Sequence, residues 1–406
     1  MKKYCVIQSG SLTDLLQTKR LILSLCRKEA QVHLCVVPEL QDAAAFLYPE
    51  VELHPFPFSK EFTNVATSDS IPDHLDLDSF EAVYNLHGSS KNMMMSTLFS
   101  SDVMCGYWRH NGREHRSPWL TCLSRVHGRQ RFLNTMDIWA HLVPSPIPSH
   151  MVNPIAMRKG GGIGVVLRDL NGRALPLSVL AGCINAVCTA SRETDVVLFG
   201  EKADEQLVAE LLPLLKEKIA AKTVTRCFET SFAEDFEIIS TLDMLVTPES
   251  TLMHAAAHVG TPVNAFFHSS AWCMENGPYG LGHRVWQADT ACAPCIPKDD
   301  CAENFACMHV FGEEKLQRFL AGKIDDDYPQ GVTGYVSMLD EVGVTYMPVF
   351  GTEEHAVERL ALRGIASEFV GITKISKTVP QGSNNFYAEQ DWLMQSCVND
   401  EEIDDE

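Results

Sequence analysis

Short apolar runs alternate along this chain with stretches whose apolar residues recur at helical spacing, and that alternation restricts the fold to parallel sheets wrapped by helices. Tyr4-Cys5-Val6-Ile7 gives way to the small, polar Gln8-Ser9-Gly10-Ser11-Leu12-Thr13-Asp14, after which Leu15, Leu16, Leu21, Ile22 and Leu25 mark a helix. Further strands are expected at 31–38, 51–56, 81–88 and 103–107, with a helix at 43–47. Pro144, Pro146 and Pro148 punctuate the close of this series, and Gly160-Gly161-Gly162 opens a second one. Its strands are expected at 163–167, 195–200, 244–247 and 262–267, and its helices at 177–187, 205–218, 233–242 and 252–258. The reading is α/β: two doubly wound, Rossmann-like domains, 1–155 and 160–322, facing a cleft at the carboxyl ends of their strands, where open α/β sheets bind ligands. The chain beyond Asp325 does not fit the second sheet. It is read as an appended small α/β module, 325–399, with a helix near 353–365 and an acidic tail, 400–406.

Composition narrows the function classes. A length of 406 residues at 45% hydrophobic and 21% charged suits two globular domains rather than a disordered chain. No window of about 18 uninterrupted apolar residues occurs, and the first strand turns polar before a signal-peptide core can form, so a cytoplasmic protein without a transmembrane segment is expected. Most of the 14 cysteines sit singly in apolar stretches, against a disulfide framework. A net charge of −20 argues against nucleic acid as a partner. The charge is uneven: from Asp325 onward seventeen acids face four bases, whereas 107–131 carries six arginines and one acid. Arg109, Arg113 and Arg116 within it suit an anionic ligand, or form a solvated helix-and-loop surface.

No P-loop, HExxH, GxSxG or dinucleotide fingerprint is present; Gly160-Gly161-Gly162 precedes a strand instead of following one. Three other elements carry chemistry. Asp14 lies where the first strand turns into a helix, as an N-terminal capping carboxylate or as a reactive group at the mouth of the sheet. Thr247-Pro248-Glu249-Ser250-Thr251-Leu252-Met253-His254 leads from a strand into a helix whose first-turn N–H groups and hydroxyls suit a diphosphate, or form an ordinary cap above a core histidine. Cys292, Cys295, Cys301 and Cys307 place four thiols within sixteen residues, as a structural zinc or iron site, as inert or redox-labile thiols, or as disulfides.

The order of Ser11-Leu12-Thr13-Asp14, Tyr84-Asn85-Leu86-His87-Gly88, Thr247 to Ala257, Gly260-Thr261-Pro262-Val263, Gly277-Pro278-Tyr279-Gly280 and Cys292-Ala293-Pro294-Cys295 resembles glycosyltransferase family 9, the lipopolysaccharide heptosyltransferases, over roughly 1–319. The resemblance implies the GT-B architecture and an inverting transfer, with no cofactor required for the chemistry. Its expected donor is a nucleotide-activated sugar, ADP-linked. The expected acceptor is a bacterial lipopolysaccharide or other cell-envelope glycan or glycolipid, met at the inner membrane surface by a peripheral protein. It further implies Asp14 as general base, Glu249, Ser250, Thr251 and His254 as the donor-binding turn, Asp204 near the nucleotide, and Arg173, with Arg168 second, as the cation at the diphosphate. Arg109, Arg113 and Arg116 would then meet the acceptor.

Thr13 and Thr251 stand where the family commonly has glycine, Glu249 where aspartate is commoner, and Arg168-Asp169-Leu170-Asn171-Gly172-Arg173 replaces the usual phosphate-binding turn. A second hypothesis therefore stands beside the first: a non-catalytic, nucleotide-sugar-binding regulatory homologue acting through a protein partner.

Overall fold

The computed structural model describes residues 1–27, 29–56, 76–126, 128–227, 231–268, 270–293, 295, 301–323 and 328–372. The chain divides into two compact units. Among the described residues, the first comprises those of 1–130, 135–148 and 357–372, and the second those of 131–134 and 149–356.

The first unit is built on β1 (Lys3–Gln8), β2 (Gln31–Val36), β3 (Glu52–Pro55), β4 (Ala82–Asn85), β5 (Met104–His110) and β6 (Arg113–Arg116), in the order β3-β2-β1-β4-β5-β6. Its helices are α1 (Leu12–Leu16), α2 (Lys19–Cys26), α3 (Gln41–Leu47), α4 (Ser90–Ser96), α5 (Pro118–Leu123) and α6 (Thr135–Ala140). All pairings are parallel except β5 with β6. Both faces are covered, so β1 reads as a continuous apolar run: Tyr4 and Val6 join one core with Leu21, Ile22 and Leu25 of α2, while Cys5 and Ile7 join another with Phe80, Val83 and Met95. Arg20 and Asp137 are buried as an ion pair at 2.5 Å, with Arg20 Nε also donating to Ile147 O. That pair ties α2 to α6.

The second unit holds β7 (Ile163–Val166), β8 (Val196–Phe199), β9 (Thr223–Arg226), β10 (Met244–Pro248), β11 (Val263–Phe267), β12 (Arg284–Ala288), β13 (Val332–Leu339) and β14 (Val344–Phe350) in one sheet, ordered β14-β13-β12-β11-β10-β7-β8-β9. Its helices are α7 (Leu177–Ser191), α8 (Glu205–Leu211), α9 (Glu217–Ala220), α10 (Phe232–Ile239), α11 (Thr251–His258), α12 (Cys273–Asn276), α13 (Ala306–His309) and α14 (Glu314–Leu320). The six strands β7 to β12 repeat the strand order of the first sheet, and β13 and β14 add an antiparallel edge. Two Rossmann-like halves therefore stand in the chain, as the alternation implies. Val179, Leu180, Cys183, Ile184 and Val187 of α7 pack on Ile163, Val165, Val196 and Leu198.

Three expectations are corrected. The chain after Asp325 is not an independent module: β13 pairs with β12 and completes the second sheet, while the final helix α15 (Ala356–Phe369) falls almost wholly in the first unit, with Arg359 and Arg363 buried. The cause is β12, whose Arg284 and Gln287 interrupt its apolar run and hide the edge on which β13 pairs. The remainder of 325–399 beyond 372, and the tail 400–406, lie outside the described residues. The helix expected over 205–218 is broken between α8 and α9, where Pro213 cannot continue an α-helix. The arginine-rich stretch opens with a β-hairpin, β5 to β6, that carries Arg109, Arg113 and Arg116 where a helix and loop were expected; α5 and the loop after it form the rest of the stretch.

Candidate donor and acceptor sites

In the second sheet the chain runs from β7 outward to β8 and β9, then returns to β10 beside β7 and continues the other way. The loops leaving β7 and β10 therefore diverge, and the crevice between them is where an open α/β sheet receives a ligand. Residues 167–176 follow β7. Here Asp169 Oδ1 accepts the N–H groups of Asn171 (2.9 Å) and Arg173 (2.8 Å), and the Arg173 guanidinium donates through Nε (3.1 Å) and Nη2 (2.9 Å) to Oδ2. Arg173 Nη2 also donates to Ser270 Oγ at 2.5 Å, and His268 Nδ1 lies 3.5 Å from Asp169 Oδ2. Burial pushes the Asp169 carboxyl up, but hydrogen bonds from His268 and the Arg173 N–H, with the charge of Arg173, outweigh it and hold the group at about 2.

The loop after β10 meets this one through Leu170 N–H, which donates to Glu249 O at 3.0 Å. Burial raises the Glu249 carboxyl to about 7, with Asp169 adding to the rise and Asn276 and Arg173 opposing it. Ser250 caps α11, accepting from Met253 N–H at 3.1 Å and sharing a 2.7 Å hydrogen bond with Thr247 Oγ1. Thr251 opens the helix, and His254 is buried among its alanines. Asp204 is fully buried: Oδ1 accepts from Arg168 Nε and Oδ2 from Glu201 N–H at 2.9 Å, while Arg168 Nη1 donates to Gly172 O at 2.6 Å. Arg168 and Asp204 are thus partners, and Arg173, Glu249 and Ser250 lie on the two joined loops.

The sequence reading missed Asp169, His268 and Ser270. The Arg173-to-Asp169 spacing of four residues inside a loop, and the polar His268 directly after the apolar β11, were the available signals. His268 is buried, and its Nε2 has no hydrogen-bond partner among the described residues.

The first sheet has its own switch point, between β1 and β4. Asp14 sits on the helix that follows β1, half-buried, as the third residue of a capping box: Oδ2 accepts Ser11 N–H and Ser11 Oγ, each at 2.7 Å, and Ser11 Oγ accepts Asp14 N–H at 3.3 Å. Gly10 lies so close that a Cβ there would collide with this carboxylate. Helix α4, which follows β4, contributes Asn92, bonded to Ser9 Oγ and, at 2.9 Å, to Asn85 Oδ1.

In the β5–β6 hairpin Tyr107 pairs with Arg116, Trp108 with His115, Arg109 with Glu114 and His110 with Arg113. Alternation puts Arg109 and Arg116 on one face beside Glu114 and Tyr107, and Arg113 on the other with His110, Trp108 and His115. Arg113 and Arg116 are exposed, Arg109 is half-buried, and Trp108 stacks on His115 at 5.6 Å.

Cys292, Cys295, Cys301 and Cys307 are free thiols, so the disulfide alternative is not adopted. Burial raises Cys295, the other three thiols add to the rise, and Arg173 opposes it. Cys292 Sγ donates to Thr290 Oγ1 at 3.4 Å, and Cys301 Sγ accepts Phe305 N–H at 3.3 Å. Among the described residues, a group of three donors within 4.8 Å of one another lies in the first sheet, at His33, Glu52 and His54.

Residues 185–306 match the family model described as glycosyltransferase family 9 (heptosyltransferase), a segment that contains Asp204, Glu249, Ser250, Thr251 and His254. No curated protein matches the chain. Among solved structures, the ADP-heptose LPS heptosyltransferase II of E. coli is similar with a TM-score of 0.51 at 17% identity, over 79% of this chain and 96% of that one. A family 9 glycosyltransferase from Veillonella parvula is similar with a TM-score of 0.51 at 13% identity, over 68% and 84%. At such identities the likeness concerns the fold, and it agrees with the two strand orders. No helix among the described residues is long and apolar enough to cross a membrane. Residues 185–306 are thus similar to glycosyltransferase family 9, the heptosyltransferases, and the chain has the GT-B fold of those solved structures.

Proposed function

We propose that the chain transfers a heptose or a chemically similar sugar from an ADP-linked donor to a cell-envelope glycan, with inversion at the anomeric carbon. The observation that carries this reading is the joined pair of loops after β7 and β10, where Arg173, Glu249 and the Ser250-capped start of α11 meet at the switch point of a sheet. Similarity to an ADP-heptose transferase supports the choice of donor. In this reading the donor diphosphate takes hydrogen bonds from Arg173 and from the first turn of α11, with Arg168 and Asp204 toward the nucleotide and Glu249 toward the sugar hydroxyls. Thr251 and His254 shape the same turn.

Asp14 takes the acceptor proton as the hydroxyl oxygen attacks the anomeric carbon, the bond from that carbon to the phosphate oxygen breaks, and the diphosphate leaves with the electron pair. Its Oδ2 is held by Ser11, so Oδ1 is the oxygen assigned to the proton. Arg109, Arg113 and Arg116 attract an anionic acceptor at the inner membrane surface. The chemistry needs no metal; the cysteine cluster would hold at most a structural zinc or iron ion. In this reading the protein acts in the cytoplasm, and nucleic acid is not among its partners.

A specific observation supports a second reading, a nucleotide-sugar-binding regulatory homologue. Both donor-site arginines are already paired, Arg168 with Asp204 and Arg173 with Asp169, which lowers the charge free to meet a diphosphate. A thermal-shift series over nucleotides and nucleotide sugars, followed by a transfer assay with the ligand that stabilises most, separates the two. Stabilisation with transfer supports the enzyme. Stabilisation without transfer supports the homologue, and no stabilisation by any nucleotide sugar overturns both.

A further inference from the structure

We propose that His33, Glu52 and His54 form a zinc site that clasps the edge strand β3 to β2 in the first sheet. His33 lies directly opposite Glu52 in the parallel pairing, and His54 is two residues further along β3, so all three side chains project from one face. His33 Nδ1 and His54 Nε2 face one another at 2.9 Å. The carboxylate straddles them, with Oε2 at 3.8 Å from His33 Nδ1 and Oε1 at 3.7 Å from His54 Nε2.

Those separations decide between two accounts. If the cluster served only as a hydrogen-bonded pair, one shared proton would satisfy the two imidazoles. The carboxylate would then stand beyond hydrogen-bonding distance of both. Around a zinc ion with bonds of about 2.0–2.1 Å, tetrahedral ligand atoms stand roughly 3.3 Å apart, wider than the imidazole nitrogens at 2.9 Å and narrower than the carboxylate separations of 3.7 and 3.8 Å, so the three donors shift by about half an ångström to hold it. A cation between the three donors satisfies all of them at once, whereas a proton satisfies two.

The surroundings are those of a held ligand set. The imidazoles are buried, stacked at 5.1 Å and 14°, and the edge of Phe80 fixes His33 at 5.1 Å. Gln31 Nε2 donates to Glu52 Oε2 at 2.7 Å, orienting the carboxylate from behind. The Glu52 side chain is 42% exposed, which leaves an entry path and a fourth position for water. Two imidazoles and one carboxylate suit zinc better than magnesium or calcium, which prefer all-oxygen shells. Glu52 opens β3 and His33 lies in the first half of β2, away from the carboxyl ends of the strands, so the ion is assigned to holding the sheet edge and not to sugar transfer.

The test uses the full, tag-free chain carrying Cys292→Ser, Cys295→Ser, Cys301→Ser and Cys307→Ser together, so that thiols of that cluster cannot compete. Stripped with chelator and titrated with Zn2+ against a chromophoric competitor, it is expected to take up one ion per chain, and its Tm is expected to rise with Zn2+ concentration. Cobalt(II) in its place is expected to show ligand-field absorption without an intense thiolate charge-transfer band. Glu52→Gln, a change at an exposed position, is expected to weaken Zn2+ binding at least tenfold and leave the far-ultraviolet circular dichroism unchanged; His54→Gln is expected to abolish it. Absence of uptake, uptake indifferent to Glu52→Gln, or a thiolate band on the cobalt form each overturns the proposal. Because Glu52→Gln decides the question, a His54→Gln chain that fails to fold does not rescue it.

Discussion

Arg173 donates through Nε and Nη2 to the same oxygen of Asp169, four residues before it in the loop after β7, and the other oxygen of that carboxylate holds the loop's own backbone. Asp169 thus shapes the turn and aims the guanidinium in one move. Its ordinary value is 3.8 and its folded value about 2, so between these limits the unfolded chain binds more protons than the folded one. The stabilisation is complete above about pH 4 and is lost as pH falls through 2. Asp169→Asn is expected to cost on the order of 2 kcal/mol at pH 7 and much less near pH 2, measured by urea unfolding. Arg173→Ala is expected to weaken donor binding more than stability. Should Arg168→Ala be the damaging change instead, Arg168 takes the diphosphate.

Glu249 gives a slope of the opposite sign. Its carboxyl is held at about 7 by burial, against an ordinary 4.5, so the folded chain keeps a proton that the unfolded chain has released. Stability from this group is full below about pH 4.5 and falls as pH rises to 7. A diphosphate donor meets a neutral side chain on the acid side of that range, so donor affinity is expected to decline above pH 7. Glu249→Gln is expected to flatten both trends; a donor affinity equally pH-dependent in the variant would assign the titration to another group.

Much of this architecture was legible, for a physical reason. Strands buried on both faces, such as Cys5 to Ile7 and Val196 to Phe199, need unbroken apolar runs, and such runs are visible in one dimension. What escaped notice lacks such a run. Strand β12, inside the sheet between β11 and β13, carries Arg284 and Gln287, while the edge strands β9 and β6 are Thr-Val-Thr-Arg and Arg-Glu-His-Arg. Losing β12 removed the partner of β13 and left the carboxyl region looking detached. The site shows the same division. Glu249 and Ser250 were legible because a strand-to-helix turn has local chemistry, whereas the His268 to Asp169 contact joins loops 99 positions apart and depends on β7 and β11 flanking β10.

Asp14 carries a test of the proposed base that its capping role does not obscure. Asparagine can still accept from Ser11 N–H, so Asp14→Asn is expected to cost no more than about 1 kcal/mol of stability. Loss of a general base is expected to lower turnover by at least about a hundredfold while donor binding is retained. Turnover within tenfold of the parent would return Asp14 to a purely capping residue.

The acceptor prediction rests on the hairpin's two faces. Arg109 and Arg116 share one face with Glu114, and Arg113 lies on the other with His110 and the stacked Trp108 and His115. If an anionic glycan is drawn to this hairpin, Arg113→Glu with Arg116→Glu is expected to raise the acceptor KM roughly three- to tenfold, as suits exposed charges, with no change in donor KM. The remaining activity is expected to be less sensitive to salt, because screened attraction is what was removed. The single variants then assign the face: an effect confined to Arg116→Glu places the acceptor beside Arg109 and Tyr107, and one confined to Arg113→Glu places it on the indole and imidazole rings, where a sugar can stack as well as pair. An acceptor KM and salt dependence unmoved by the double change would leave the hairpin a solvated edge.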